Sequence, residues 1–224
     1  MARTRSGADL IDDAYLRADL VGATDRHPRD VVLRYVNQGA AELYDLLVEA
    51  RGRAYYRATP TTITTTAATS RYALPASFYR LISIRVSGQG GYCLSPFTPQ
   101  DEPVLREPGN TAAKPSHYEL QPGYVELLPL HSGGSAVIVD YVPVMTDLTD
   151  TTSSTFDGIN GWEQYIPYFA AREMLLKDGE KDDASVQDRA LQALAMRIGK
   201  LAPGRDSFRA ERVKNVRRPM VRRW

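Results

Sequence analysis

The pattern of apolar positions predicts two helices at the start of the chain. The first runs from about residue 7 to residue 20, and Ser6 precedes it as a possible N-cap. The second begins near Pro28, which suits a first helical turn, and continues up to Gly52. Apolar residues recur along it at steps of three and four, so one face of this helix is apolar; they are Val32, Val36, Ala40, Leu43 and Leu47.

Beyond Gly52 the helical period gives way to β-branched residues, beginning with a threonine-rich run over residues 59–69. Gln121, Pro122 and Gly123 predict a tight hairpin turn in which Gly123 adopts a positive φ. One helical turn is expected within residues 98–105, followed by an exposed loop. The other predicted strands cover residues 79–86, 91–94, 117–120, 124–128 and 136–142.

The helical period returns at Gly161 and predicts two more helices, one ending at Gly179 and one from about residue 182 to 201. The order of elements predicts an α+β fold: a helical cluster of about four helices, an inserted antiparallel β-domain and an extended basic C-terminal tail. We expect residues 1–52 and 161–204 to form the helical domain, 53–145 the β-domain, 146–160 a linker loop and 205–224 the tail.

The net charge of the 224 residues is only +1, but the basic residues concentrate at the C-terminus. Residues 205–224 contain eight Arg and Lys against two acidic residues, a local charge of +6. This asymmetry favours a tail that docks on a negative partner over a protein coated with positive charge for nucleic acid. No apolar stretch approaches the roughly 18 residues of a membrane helix. We therefore expect neither a membrane span nor a membrane partner.

Candidate catalytic and metal-binding residues are few. The single cysteine, Cys93, is interpreted as a buried or incidental thiol. His27, His117 and His131 lie in separate segments without the spacing of a zinc or iron site, so capping and packing roles are expected. The glycines over residues 87–91 and 132–135 lack the pattern of a phosphate loop or a nucleophile elbow. We expect no enzymatic activity, no metal and no cofactor.

The order of elements and four short phrases resemble the head-to-tail adaptor (connector) proteins of tailed bacteriophages. The first phrases are VVLRYVNQGA at residues 31–40 and YALPASF at residues 72–78. The third is the predicted hairpin region, residues 115–129. The fourth is GWEQYI at residues 161–166, followed by AA at 170–171 and LLKD at 175–178. The threonine-rich run does not map onto the family.

The resemblance implies a structural virion protein that assembles in the host cytoplasm. About a dozen copies would form a ring that joins the portal of the head to the tail and extends the DNA channel. The implied partners are the portal protein, the next tail component, other copies of the chain, and double-stranded DNA that passes through the lumen without sequence-specific binding.

The C-terminal segments of such adaptors reach into the portal, which assigns partner binding to the basic tail. Apolar residues would act as anchors in partner pockets, while arginines pair with carboxylates or face the DNA channel. The candidate residues are Phe208, Arg212, Val213, Val216, Arg217, Arg218, Arg222, Arg223 and Trp224. The alternative function is a nucleic-acid-binding protein that uses the same tail.

Overall fold

The computed structural model describes residues 4–50, 56–88, 91–107, 111–159 and 161–201. These residues form an α+β fold with five α-helices, which confirms the predicted fold class. The basic tail and its candidate residues lie outside the described residues. The helices are α1 (Gly7–Arg17), α2 (Arg29–Ala50), α3 (Glu102–Leu105), α4 (Tyr165–Asp178) and α5 (Lys181–Leu201), and a 3₁₀ turn, Trp162–Gln164, leads into α4.

The two N-terminal helices and the two C-terminal helices lie close to their predicted positions. Ser6 is the N-cap of α1, because its hydroxyl accepts a hydrogen bond of 3.1 Å from the backbone N–H of Asp9. Helix α1 ends at Arg17, three residues before the predicted end. Helix α3 is a single turn within the segment for which one turn was expected.

Helix α4 lies at the centre of the helical part. Helices α1, α2 and α5 all contact it. These helices bury most of its side chains, which makes α4 the element around which the others pack. Its buried residues are Tyr165, Ile166, Pro167, Phe169, Ala170, Ala171, Met174 and Leu175.

The strands form two larger sheets and two short pairs. In chain order they are β1 (Thr4–Ser6), β2 (Thr61–Thr64), β3 (Arg71–Ala73), β4 (Phe78–Val86), β5 (Ser95–Pro96), β6 (Thr111–Ala112), β7 (His117–Gln121), β8 (Tyr124–Leu128), β9 (Leu130–His131), β10 (Ala136–Pro143) and β11 (Thr155–Asp157). One sheet has the order β2-β10-β4 and the other β3-β8-β7-β5. The hairpin between β7 and β8 is confirmed, with Gly123 at φ +78°.

Two short pairings differ from the predicted antiparallel β-domain. Strand β5 is parallel to β7, and β6 is parallel to β9. Both arise where a loop brings a two-residue segment alongside a strand, and neither segment is long enough to carry a period in the sequence. A third pairing joins β1 to β11, so part of the predicted linker loop over residues 146–160 is a strand.

Two groups of buried apolar side chains stabilise the fold. One lies among the helices, and the other among the strands, with Ile84, Leu127 and Val139 among its members. Strand β10 takes part in both, because Val139 belongs to the β-group and Val142 to the helical group. The division of the chain into domains stays a prediction.

Gly39 allows α2 and α4 to approach closely. A Cβ added there would lie 2.9 Å from the Cβ of Phe169, whereas a Cβ added at Gly199 on α5 would meet nothing within 4 Å. We expect Gly39→Ala to lower the free energy of unfolding by about 1–2 kcal/mol. The matched control, Gly199→Ala, should raise it by about 0.5–1 kcal/mol through helix propensity. Denaturant titration measures both; equal stabilisation by the two changes would contradict the packing argument.

Candidate assembly surfaces

An ion cluster around Arg29 fixes the start of α2. The guanidinium binds both carboxylate oxygens of Asp150, at 2.7 and 2.8 Å, and an oxygen of Asp12 at 2.6 Å. The hydrogen bond from Arg29 lowers the pKa of Asp150, and the Asp150 and Asp12 carboxylates raise the pKa of Arg29. Because Asp12 belongs to α1 and Asp150 to the segment before β11, this one side chain ties three parts of the chain together.

A second cluster ties the α1–α2 connection to the end of α4. The Nε2 atom of the fully buried His27 lies 2.9 Å from a carboxylate oxygen of Asp178, and Arg26 contacts the other oxygen at 2.8 Å. The hydroxyl of Tyr15 donates to the backbone carbonyl of His27. His27 therefore has the packing role that its sequence position predicts.

Two buried carboxylates in the β-part are paired with arginines. Asp140 on β10 contacts Arg57 and Arg85 and accepts a hydrogen bond from Ser83. Burial would raise the pKa of Asp140, but the hydrogen bonds from Arg57 and Ser83 outweigh it and lower the pKa. Asp140 therefore stays ionised at neutral pH, as a structural ion pair does.

Glu126 on β8 is the second buried carboxylate, with its side chain only 1% exposed. It contacts Arg106 and accepts hydrogen bonds from Ser70 and from Gln121. Arg106 follows α3, so this carboxylate anchors the α3 segment to the four-stranded sheet. Its function in the fold is to position a loop, since its hydrogen bonds and its ion pairs with Arg106 and Arg71 come from structural elements around it.

Helix α5 presents an open face beside the point where the described chain ends. Three of its side chains, Ala184, Leu191 and Ile198, are fully buried, and their seven-residue spacing gives a narrow contact stripe. The other side carries exposed apolar side chains, Val186 at 56%, Met196 at 65% and Leu201 at 52% exposure. Arg189, Arg197 and Lys200 are exposed on the same helix, the last two near its C-terminal end, whereas the exposed Asp182, Asp183 and Asp188 lie nearer its start. An apolar and basic face of this kind is typical of a protein contact surface.

Two further exposed apolar side chains lie near the tip of the β7–β8 hairpin. Leu120 and Tyr124 are 40% and 51% exposed, and the register places them on opposite faces of the hairpin. The hairpin is anchored through Val125 and Leu127, which belong to the buried β-group. The tip therefore carries an exposed apolar side chain on each face.

The structure places the candidate residues of the sequence in three ways. The tail residues lie outside the described part of the chain. His131 is buried, and burial lowers its pKa. Cys93 was expected to be a buried or an incidental thiol, and its exposure excludes the buried one: it lies in a short bridge to Arg85 at the edge of β4 and belongs to neither core.

Neither a metal cluster nor a membrane span is found in the residues described above. No group of three or more His, Cys, Asp or Glu side chains in them is placed to hold a metal ion. None of their helices combines the length and the apolarity that crossing a bilayer requires.

The comparison with family models decides the family. The SU10 adaptor protein model matches residues 5–222, nearly the whole chain. The chain belongs to the SU10 adaptor protein family. This confirms the resemblance to phage head-to-tail adaptors, and it makes the SU10 adaptor a structural component of a bacteriophage virion. No curated protein matches the chain.

The α5 face is the surface of this SU10 adaptor that sequence reasoning missed. The seven-residue spacing of Ala184, Leu191 and Ile198 is visible in the sequence and indicates that only a narrow stripe of this helix is buried. Val186 is also the first of a series of apolar residues at steps of four that ends at Ile198, so periodicity alone assigns it to the buried face of Ile198. Only the packing of α5 against α4 shows which side stays open.

The Arg29–Asp150 pair predicts a pH-dependent contribution to the stability of the adaptor. The pKa of Asp150 is lower in the folded protein than the ordinary aspartate pKa of about 3.9. The pair therefore stabilises the fold at pH values above about 3.9, and this stabilisation is lost as the pH falls through the lowered pKa of Asp150. We expect Asp150→Asn to cost less than about 1 kcal/mol at pH 7, since the pair is partly exposed. The difference from wild type should shrink below about pH 4.

Melting curves between pH 7 and pH 3 measure this effect. Asp25→Asn is the control, because Asp25 is exposed and forms no ion pair with a described residue. A melting-temperature difference for Asp150→Asn that stays constant across this pH range would show that the ion pair is not its cause.

Proposed function

We propose that the chain forms a ring that joins the portal of the phage head to the tail and extends the DNA channel. The observation that carries the proposal is the family match over residues 5–222. The described helices and strands support it, because the buried carboxylates of Asp140 and Glu126 are paired with arginines in structural roles and apolar side chains such as Met196 are exposed at the surface. The ring of about a dozen copies, the portal and the tail component are parts of this proposal.

Closure of a ring requires two different faces on each copy that meet around the rotation axis. The open face of α5 supplies one of them, with apolar and basic side chains together. An acidic surface suits the other: residues 4–50 contain nine Asp and Glu against five Arg. We propose that the α5 face of one copy meets the α1–α2 region of the next, where opposite charges select the orientation.

The tail is the proposed portal-docking element. Its anchors would be Phe208, Val213, Val216 and Trp224, and its cationic contacts Arg212, Arg217, Arg218, Arg222 and Arg223. The hairpin tip with Leu120 and Tyr124 is the proposed contact with the next tail component. DNA passes through the lumen of the ring in this arrangement and is not bound by sequence.

The second candidate function, nucleic-acid binding through the tail, is favoured by the local charge of +6. It predicts that the isolated chain binds DNA with an affinity that falls steeply with salt, by about one unit of log–log slope for each phosphate neutralised. Filter binding at several salt concentrations separates the two functions.

Removal of residues 205–224 tests the docking element. We expect the melting temperature to stay nearly unchanged and portal docking to be lost, measured by native mass spectrometry of the chain mixed with the portal protein. The control replaces Arg217, Arg218, Arg222 and Arg223 by Lys; it keeps the charge and removes the bidentate contacts. Full docking by the truncated chain would exclude the tail as the attachment element.

The ring contact is tested by a charge on the open face of α5. We expect Met196→Asp to prevent the discrete multi-copy species that the wild-type chain forms, alone or with the portal protein, because it places a carboxylate opposite an acidic surface. Val104→Asp, at an equally exposed apolar site on α3, is the matched control. Mass photometry measures both variants, and an intact ring with Met196→Asp would remove α5 from the interface.

A further inference from the structure

The threonine-rich segment has no part in the function proposed above. Strand β2 lies within it and pairs only with β10, which makes β2 an edge of the three-stranded sheet. Residues 58–70 contain no charged residue. Natural sheets protect free edges with charges, bulges or covering segments, because an unprotected edge pairs with other strands.

The hydrogen-bond pattern shows which backbone groups of β2 point outward. The N–H of Thr65 donates to the carbonyl of Ser135, so Thr65 faces β10. Thr64 is paired with Ala136, whose carbonyl accepts a hydrogen bond from the N–H of Ser87, on the side of β10 away from β2. Because direction alternates along a strand, the N–H and C=O groups of Thr62 and Thr64 point away from β10.

The outward backbone groups of Thr66, the next residue in this alternation, already form hydrogen bonds. The N–H of Thr66 donates to the hydroxyl of Tyr72, and its carbonyl accepts from the N–H of Thr69. Among the residues that the structure describes, the open part of the edge is therefore two residues long, with two donors and two acceptors at Thr62 and Thr64.

The opposite edge of the same sheet is protected. Strand β4 has two register shifts against β10, and Arg80 is exposed on it. Its far end is covered, since Leu94 donates to the carbonyl of Ile84 and Val86 donates to Tyr92. In the described part of the chain, the β4 edge of this sheet is therefore protected and the β2 edge is not. This difference indicates that the β2 edge is a contact surface.

We propose that the β2 edge pairs antiparallel with the β2 edge of a second copy of this chain, about a two-fold axis at Ile63. In this register Thr62 of each copy lies opposite Thr64 of the other. All four outward donors and all four outward acceptors then form hydrogen bonds, and the two sheets become one of six strands. The exposed threonines also make cross-strand Thr–Thr contacts, which favour pairing.

The same register limits the contact to the open part of the edge. Pro60, which has no N–H, lies opposite Thr66, whose backbone groups are already bonded. The half-buried Ile63 side chains meet on the core side as a non-hydrogen-bonded pair, the closer type of antiparallel pair. A two-fold contact uses the same patch on both copies, whereas a ring contact joins two different patches. The proposed pairing is therefore a different contact from the ring contact and from the portal contact.

Disulfide trapping tests the register in the full-length chain. The background is Cys93→Ser, which removes the exposed native thiol. Ile63→Cys places two thiols on the axis with their Cα atoms about 4.5 Å apart, within disulfide range. Thr59→Cys lies on the same segment, but four residues from the axis it is about 27 Å from its mate. We expect Ile63→Cys to form the covalent dimer at least tenfold faster.

Charged pairs in the trapping variant provide a second measurement. Thr62→Lys with Thr64→Lys puts like charges opposite each other twice and should slow dimer formation about tenfold. Thr62→Lys with Thr64→Glu puts opposite charges face to face and should restore the rate. Both threonine side chains are exposed, so the variants should fold, and circular dichroism checks this. Equal trapping of Ile63→Cys and Thr59→Cys, or equal rates for the two charge variants, would overturn the proposal.

Discussion

The apolar surface of α4 is the constraint on which the rest of the structure depends. Most side chains of α4 are buried, and the chain encloses the helix with helices from both of its ends. This brings residues 7–50 against residues 165–201 and leaves the strands to form their own core. The close approach at Gly39 and Phe169 is a direct result of the same enclosure.

The buried polar groups follow from this arrangement. Where separate parts of the chain meet, the structure uses an acid with a basic partner: Asp178 with His27 and Arg26, Asp150 with Arg29, Asp140 with Arg57. Each carboxylate satisfies donors from a different element, so these pairs select one mutual arrangement.

Much of the fold was predictable from the sequence, because helices of three or more turns repeat their apolar period several times. The four long helices follow from this period, and the Ser6 cap and the hairpin at Gly123 follow from the residue types at single positions. The parallel pairs β5–β7 and β6–β9, and the pairing of β1 with β11, each include a segment of only two or three residues, which carries no period. The candidate surfaces were harder to predict, since the open side of α5 is determined by α4 and the free edge of β2 by its neighbours in the sheet.

Strand β10 also gives the molecule a mechanical continuity. It packs into the core of the strands at Val139 and into the core of the helices at Val142, and the hydroxyl of Tyr44 on α2 donates to the carbonyl of Pro143 at 2.7 Å. A force applied to the strands along the direction of β10 acts in shear on the hydrogen bonds between β10 and β4, and many of these hydrogen bonds resist it together. The load then passes to α2 through the buried Val142 and the hydrogen bond between Tyr44 and Pro143.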